Sequence, residues 1–192
     1  MQSIIDANEK QQFCEIALVL ASKPDIYALE RAKKHGIPAE VVCRKDYADL
    51  EAAFEKITVL MEQYQIDYIV LAGYLSIIPA SFTRRFAGRI VNIHPSLIPS
   101  FCGKGYYGLR VHQAVLDYGA KVTGVTIHFV DEGADTGAII MQRAVYVQDG
   151  DTPETLQARV LETEHQVLPE AVKLLTQGKI KLSGRTVTIE RE

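Results

Sequence analysis

Asn92 and His94 close an apolar run, Val91-Asn92-Ile93-His94, that stops at Pro95-Ser96. On an extended strand, residues two apart project to one face, so the Asn92 carboxamide and the His94 imidazole open on the same crevice while Ile93 faces the opposite layer. Pro95 has no N–H to give to a ladder, which ends the strand there. A carboxamide donor beside an imidazole suits a particular chemistry: holding a carbonyl oxygen as it gains charge, and moving a proton. The plainer alternative for His94 is a hydrogen bond to loop backbone.

A second polar cluster follows an apolar stretch, Thr126-Ile127-His128-Phe129-Val130-Asp131-Glu132-Gly133-Ala134-Asp135-Thr136-Gly137. An aspartate of this loop set near a histidine holds the imidazole protonated and oriented. Asp131, Glu132 and Asp135 equally suit a tight turn. His128 shares a strand face with Thr126 and is read as a core histidine rather than a catalytic one, with a lining role left open.

Gly103-Lys104-Gly105-Tyr106-Tyr107-Gly108 has the spacing of a dinucleotide-binding turn. Such a turn must follow a strand directly, and here Pro95 and Pro99 intervene. A mobile loop over the crevice fits better. The stretch 71–79, Leu71-Ala72-Gly73-Tyr74-Leu75-Ser76-Ile77-Ile78-Pro79, carries more apolar bulk than a solvent loop needs. It forms either one wall of a flat-ring pocket or packing under the next helix. His35 ends a helix, where an imidazolium complements the dipole, and His112 and His165 fall on helices with packing or surface roles. Cys14, Cys43 and Cys102 are odd in number, widely spaced and without an activating neighbour. They point to no disulfide scaffold, paired-ligand zinc site or thiol nucleophile.

The elements that must position these groups alternate. Strands are expected at 15–22, 40–42, 67–72, 89–93, 121–130 and 138–147, and helices at 26–35, 47–65, 79–86 and 109–118. Thr152 caps a long helix with Pro153 at its first position; it runs toward Gln177 with a kink at Pro169 and closes at Gly178. A hairpin pairs 179–182 with 186–189. Strands alternating with helices predict an α/β domain, a mostly parallel twisted sheet with helices on both faces, whose ligands sit beyond the carboxyl ends of the strands. The chain opens with a helical piece, 2–10, where a doubly wound domain normally opens with a strand.

Over 192 residues, 21 Lys+Arg oppose 24 Asp+Glu for a formal charge of −3, and 47% of residues are apolar. That length suits one domain. The balance argues against a phosphate-neutralising nucleic-acid binder and against disorder. The longest apolar run, 16–21, is too short to span a bilayer, and no signal segment opens the chain. A soluble, cytoplasmic, single-domain protein is expected.

Taken together, Asn92-Ile93-His94-Pro95-Ser96-Leu97-Ile98-Pro99, then His128-Phe129-Val130 and Asp135-Thr136-Gly137 at the matching distance, resemble the phosphoribosylglycinamide formyltransferases, folate-dependent enzymes of purine synthesis. The similarity runs from Gln2 through Leu175. Asn-x-His with Asp belongs to a wider formyltransferase group; the His-Pro-Ser continuation and the Asp-Thr-Gly setting are narrower. The resemblance implies a single Rossmann-like formyltransferase domain with Asn92, His94 and Asp135 as the catalytic trio. It implies that Leu75, Ser76, Ile77 and Ile78, with Asn92, Val130, Asp131 and Asp135, hold the pterin end of 10-formyltetrahydrofolate. Pro95 and Glu164 would contact glycinamide ribonucleotide. A primary amine would attack the formyl carbon through a tetrahedral intermediate, without a metal. Asn92 and protonated His94 would donate to the oxyanion, while Asp135 would raise the pKa of His94 and relay the amine's proton through water. The implied partners are these two small molecules, not nucleic acid or membrane, and the state a monomer or homodimer.

Two departures accompany the resemblance. Ser76 stands where many relatives carry a long basic residue. The family also begins with a central strand and a Gly/Ser-rich turn whose amides bind the ribonucleotide phosphate at a helix N-terminus, and Met1 falls at the start of that helix. The expectation is a 1–192 formyltransferase domain lacking about ten to fifteen residues of strand and turn, which, if the chain is complete as given, is poorly stable and binds the ribonucleotide weakly. Three rivals stand beside it. A formyltetrahydrofolate hydrolase would carry an upstream regulatory domain, and a methionyl-tRNA formyltransferase a basic extension past Glu192. In a non-catalytic α/β binding module, Asn92, His94 and Asp135 would be structural loop residues.

Overall fold

The computed structural model describes residues 1–74 and 76–190; Leu75, expected in the pocket wall, lies outside the described residues. Helix α1 (Gln2–Gln11) opens the chain and is followed by β1 (Val19–Ala21), α2 (Tyr27–Lys34) and β2 (Ala39–Val41). Then come α3 (Leu50–Gln63), β3 (Ile69–Leu71), α4 (Ala80–Arg85) and β4 (Ile90–His94). Helix α5 (Leu109–Asp117), the long strands β5 (Val122–Phe129) and β6 (Ile139–Tyr146), helix α6 (Pro153–Thr176) and a hairpin of β7 (Ile180–Ser183) and β8 (Thr186–Ile189) complete the order. Local chemistry sets the helix ends. The Asp49 carboxylate accepts the Ala52 N–H to start α3. Thr152 and Thr155 cap α6 reciprocally, with Pro153 in the first turn. Gly178, at φ 68°, supplies the left-handed residue past its end, and α6 is helical straight through Pro169.

The α/β architecture is as expected, but the sheet is mixed. Strands β1 and β2 pair in parallel, as do β3 and β4, whereas β4–β5 and β5–β6 are antiparallel. The loop at 130–138 explains the last pair, because a parallel return needs a crossover of about a dozen residues or more. The hydrogen-bonded order is β3-β4-β5-β6, with β1-β2 and β7-β8 as separate two-stranded units.

Two apolar cores lie on opposite faces. Val91, Val125 and Ile127 pack with Val160 and Leu168 of α6. On the other face Ile90 joins Phe54, Ile57 and Met61 of α3 and Phe82 of α4. Strand β4 thus alternates between layers, and the same alternation carries Asn92 and His94 to the face of Ile90. Among the described residues no helix is long and apolar enough to cross a membrane.

Candidate active site

The antiparallel register of β4 and β5 sets His128 opposite Asn92 and Thr126 opposite His94. Residues opposite one another share a face, so four polar side chains meet where β4 ends. The Thr126 hydroxyl donates to the Ser96 carbonyl at 2.7 Å and accepts the Ile98 N–H at 3.1 Å. It thereby ties down the chain leaving the strand.

Each imidazole has one nitrogen committed to backbone. His94 Nε2 lies 2.9 Å from the Phe101 carbonyl, and His128 Nδ1 lies 2.8 Å from the Phe129 carbonyl. A carbonyl only accepts, so both of these nitrogens carry hydrogen, and whenever a ring is in its neutral form its opposite nitrogen is bare. The bare His94 Nδ1 is 3.5 Å from Asp135 Oδ2, and the bare His128 Nε2 is 3.6 Å from Asp135 Oδ1. The Asn92 amide donates to that same His128 Nε2 at 3.2 Å. One carboxylate therefore sits between two imidazoles. It is anchored by the Gly103 N–H, which Asp135 Oδ2 accepts at 2.8 Å, and by a left-handed backbone at φ 57°, a conformation aspartate tolerates better than most residues.

Charge follows from these surroundings. His94 is 4% exposed, and burial pushes its pKa below the ordinary imidazole value; the nearby His128 adds to the shift, while the Phe101 carbonyl and the Asp135 carboxylate pull the other way. Asp135 does favour the imidazolium, as expected, but burial outweighs it, so the resting ring is neutral rather than protonated. For Asp135 burial opposes ionisation, yet its contact with His128, the Gly103 N–H and the pull of either imidazole when protonated prevail, holding the carboxyl below its usual range. The site at rest is a carboxylate, a bare imidazole nitrogen and a carboxamide N–H on one face.

The formyl transferase family model matches residues 1–172, a span that contains the whole site. The chain belongs to the formyl transferase family. It is 39% identical over 191 residues to the phosphoribosylglycinamide formyltransferase of Haemophilus influenzae, a match covering 99% of this chain and 88% of the relative. The structure resembles glycinamide ribonucleotide transformylase 1 from Symbiobacterium toebii at a TM-score of 0.91 and 37% identity, over 98% of this chain and 87% of that one. It also resembles a formyltetrahydrofolate deformylase from Pseudomonas syringae, at a TM-score of 0.84 and 26% identity, over 62% of the deformylase. Some relatives are far longer: the chain spans 18% of the trifunctional purine biosynthetic protein adenosine-3 of Gallus gallus, at 39% identity.

Around Asn92, His94 and Asp135 the remaining candidates are placed unevenly. Asp131 closes the turn that presents Asp135, its Oδ1 accepting the Gly133 N–H and the Thr136 hydroxyl. Glu132 pairs with Arg84 at the surface. Val130 and Ile78 are half-buried against the α3–α4 core, Ser76 is exposed beside Tyr74, and Ile77 is 78% exposed. The expected wall thus divides, Ile78 toward core packing and Ser76 and Ile77 toward open surface. Gly103, Gly105 and Gly108 all adopt positive φ, but they lie well past the end of β4 at His94. The loop pins Asp135 instead of forming a strand–glycine junction.

Pro95 is half-buried directly after His94. Glu164, half-buried on α6, is pushed up to about 7 by burial against the opposing pull of the Met1 amino group. The charge that acts on it is the amino group at the start of α1, not a member of the trio. Two histidines matter more than their sequence setting implies. His128 touches both Asn92 and Asp135. His112, on α5, is fully buried with its Nδ1 unpartnered, and burial, helped by the charge of His94 when that ring is protonated, pushes it down to about 4. Among the described residues no group of three or more His, Cys, Asp or Glu is placed to hold a metal ion.

Proposed function

We propose that this chain transfers the formyl group of 10-formyltetrahydrofolate to the primary amine of glycinamide ribonucleotide, a step of purine biosynthesis carried out in the cytoplasm. The observation that carries the proposal is the shared face of the Asn92 amide, the bare His94 Nδ1 and the Asp135 carboxylate. Attack by the amine forms a C–N bond and moves the carbonyl pair onto oxygen. One Asn92 N–H is committed to His128, and its second N–H is free to take that oxyanion. The proton of the new ammonium passes to His94 Nδ1, directly or through water. The resulting imidazolium lies between the Phe101 carbonyl and the Asp135 carboxylate, both placed to stabilise positive charge. Collapse of the oxyanion expels the N10 nitrogen of tetrahydrofolate, which takes the proton back.

Supporting contacts fall on either side. Ser76 and Ile77 offer exposed surface for the pterin end, and Val130 is half-buried against the α3–α4 core. Pro95 and Glu164 are assigned to the ribonucleotide, Glu164 keeping the protonation state that its burial favours. The fit to the cosubstrate rests on donor chemistry: a neutral imidazole and an amide donor match a carbonyl that gains negative charge only as the reaction proceeds.

Incubation with both substrates should yield formylated ribonucleotide, detected by mass, in step with tetrahydrofolate absorbance. Loss of the formyl group as formate, with the ribonucleotide unchanged, would favour the hydrolase reading that the likeness to the Pseudomonas deformylase supports. No turnover of either kind by the folded chain would overturn the assignment.

A further inference from the structure

The serine of the His94-Pro95-Ser96 run takes no part in the proposed proton transfer, yet it is fully buried beside the trio. A buried hydroxyl needs a hydrogen-bond partner. Ser96 Oγ donates to the Ser100 carbonyl at 2.6 Å and reaches the Phe101 carbonyl at 3.3 Å. It has one hydrogen to give, so Ser100 takes the main share and Phe101 the longer arm. The Ser96 backbone is held as well. Its carbonyl accepts from the Thr126 hydroxyl, which in turn accepts the Ile98 N–H and the Gln142 amide. Thr126 thereby commits its one hydrogen and both lone pairs. The near end of the turn 96–101 is thus fixed to β5 and β6, and the Ser96 side chain carries that anchorage across to the far end.

The far end is where the trio is gripped. The Phe101 carbonyl takes the His94 Nε2–H at 2.9 Å, and two residues on, the Gly103 N–H is given to Asp135 Oδ2 at 2.8 Å. Phe101 itself has φ 52°, a left-handed conformation that a bulky residue adopts only where its surroundings impose it. Its ring meets those of Tyr106 and Tyr118 edge-on, with centroids 6.5 and 5.8 Å away. Those contacts hold the ring. The direction of the carbonyl is set by the groups that donate to it, His94 and Ser96.

That direction decides which nitrogen of a neutral His94 carries the hydrogen. On its Nδ1 side the ring faces the Asp135 carboxylate at 3.5 Å, and a carboxylate draws an N–H toward itself. With Asp135 alone to choose, the hydrogen would sit on Nδ1, and that nitrogen would be no base. The Phe101 carbonyl opposes this, because a bare Nε2 against a carbonyl oxygen sets two lone pairs face to face. We propose that Ser96 is a positioning residue for the reaction: its hydroxyl holds the Phe101 carbonyl on His94 Nε2 and so keeps Nδ1 bare for the proton of the amine. The kinetic consequence rests on the proposed formyl transfer; the placement of the hydrogen does not.

The test is Ser96→Ala in the full 192-residue chain. Ser100 is exposed, so water can meet its carbonyl once the hydroxyl is gone, and the variant loses direction in the turn rather than the fold. Imidazole nitrogen chemical shifts, read without substrates at about pH 8 where a free imidazole is neutral, separate the two tautomers. The parent should show His94 with its hydrogen on Nε2, and Ser96→Ala a second population with hydrogen on Nδ1. In the assay kcat should fall by about tenfold or more with KM little changed, because a displaced base costs rate rather than binding. Ser96→Thr, which returns a hydroxyl to the same carbon, should restore both readouts. A His94 spectrum identical in Ser96→Ala and the parent overturns the proposal, whatever the rate. So does an unchanged kcat in a variant whose tautomer has shifted, or a folded Ser96→Thr that matches the alanine variant in both measurements. If the parent itself transfers no formyl group, the proposed reaction falls, while the nitrogen spectra still decide whether Ser96 orders the ring.

Discussion

Asn92 gives a carboxamide N–H to the bare Nε2 of His128 across the β4–β5 ladder, at 3.2 Å. The bond fixes which way the carboxamide points: its nitrogen is turned toward β5 and retains one hydrogen for a ligand. Removing the side chain removes that donor. Asn92→Ala should lower kcat by on the order of a hundredfold or more while leaving the far-ultraviolet spectrum unchanged. Near-normal turnover in a folded variant would take Asn92 out of the oxyanion role.

His128 is then a positioning residue, acting through Asn92 and Asp135. His128→Phe keeps the bulk and removes the acceptor, leaving the Asn92 amide without its partner. We expect kcat to fall by about tenfold to a hundredfold with little change in KM, from the cost of one buried unmet polar group. His128→Gln, whose carbonyl oxygen can accept the Asn92 N–H, should recover part of that loss. Equal activity of the two variants would show that the acceptor is irrelevant.

The pH profile tests the charge on His94. On the proposed mechanism its neutral form takes the proton from the amine, so activity should fall on the acid side as His94 protonates. Asp135 pulls the His94 pKa upward against burial. Asp135→Asn removes that pull and should therefore move the acid limb of kcat to lower pH while lowering the plateau, because the imidazolium loses its counter-charge. A limb that moved to higher pH, or stayed in place, would contradict the pairing.

How much of this is legible in the sequence differs by feature. The trio is visible because spacing of two on a strand and an aspartate in a following turn are local patterns. So is the order of helices and strands. The role of His128 is not, since it depends on which residue of β5 lies opposite Asn92, and register is a property of the pair. The resting charge of His94 is hidden for a similar reason: the neighbouring carboxylate is in the sequence, but the burial that overrides it is tertiary. Strands β1 and β3 come out shorter than the stretches 15–22 and 67–72 because only three residues of each have partners in β2 and β4.

Gly137 marks a close approach that no larger residue can share. A Cβ built on it would lie 1.7 Å from the Phe129 carbonyl oxygen, the same atom that takes the His128 Nδ1–H. Gly137→Ala must displace either β5 or the turn that carries Asp135. We expect a loss on the order of 3 kcal/mol in denaturant unfolding, with activity reduced in the folded fraction as well. A variant matching the parent in both measurements would show that the turn relaxes freely.

His112 should make the fold sensitive to acid. Its pKa in the folded protein is about 4, against an ordinary value of about 6.5 in the unfolded chain. Above pH 6.5 both states hold the ring neutral, and its titration adds nothing to the pH dependence. Between 6.5 and 4 the unfolded chain takes up a proton that the folded protein refuses, so stability falls as pH falls, by up to about 1.4 kcal/mol per unit and about 3 kcal/mol across the window. His94, also lowered, contributes in the same direction. His112→Gln keeps a polar side chain and removes the titration. Its unfolding free energy should therefore decline less steeply than that of the parent between pH 7 and 4. The comparison of slopes, rather than of stability at one pH, isolates the histidine from any packing cost of the substitution. Parallel slopes would mean that His112 takes its proton as readily folded as unfolded.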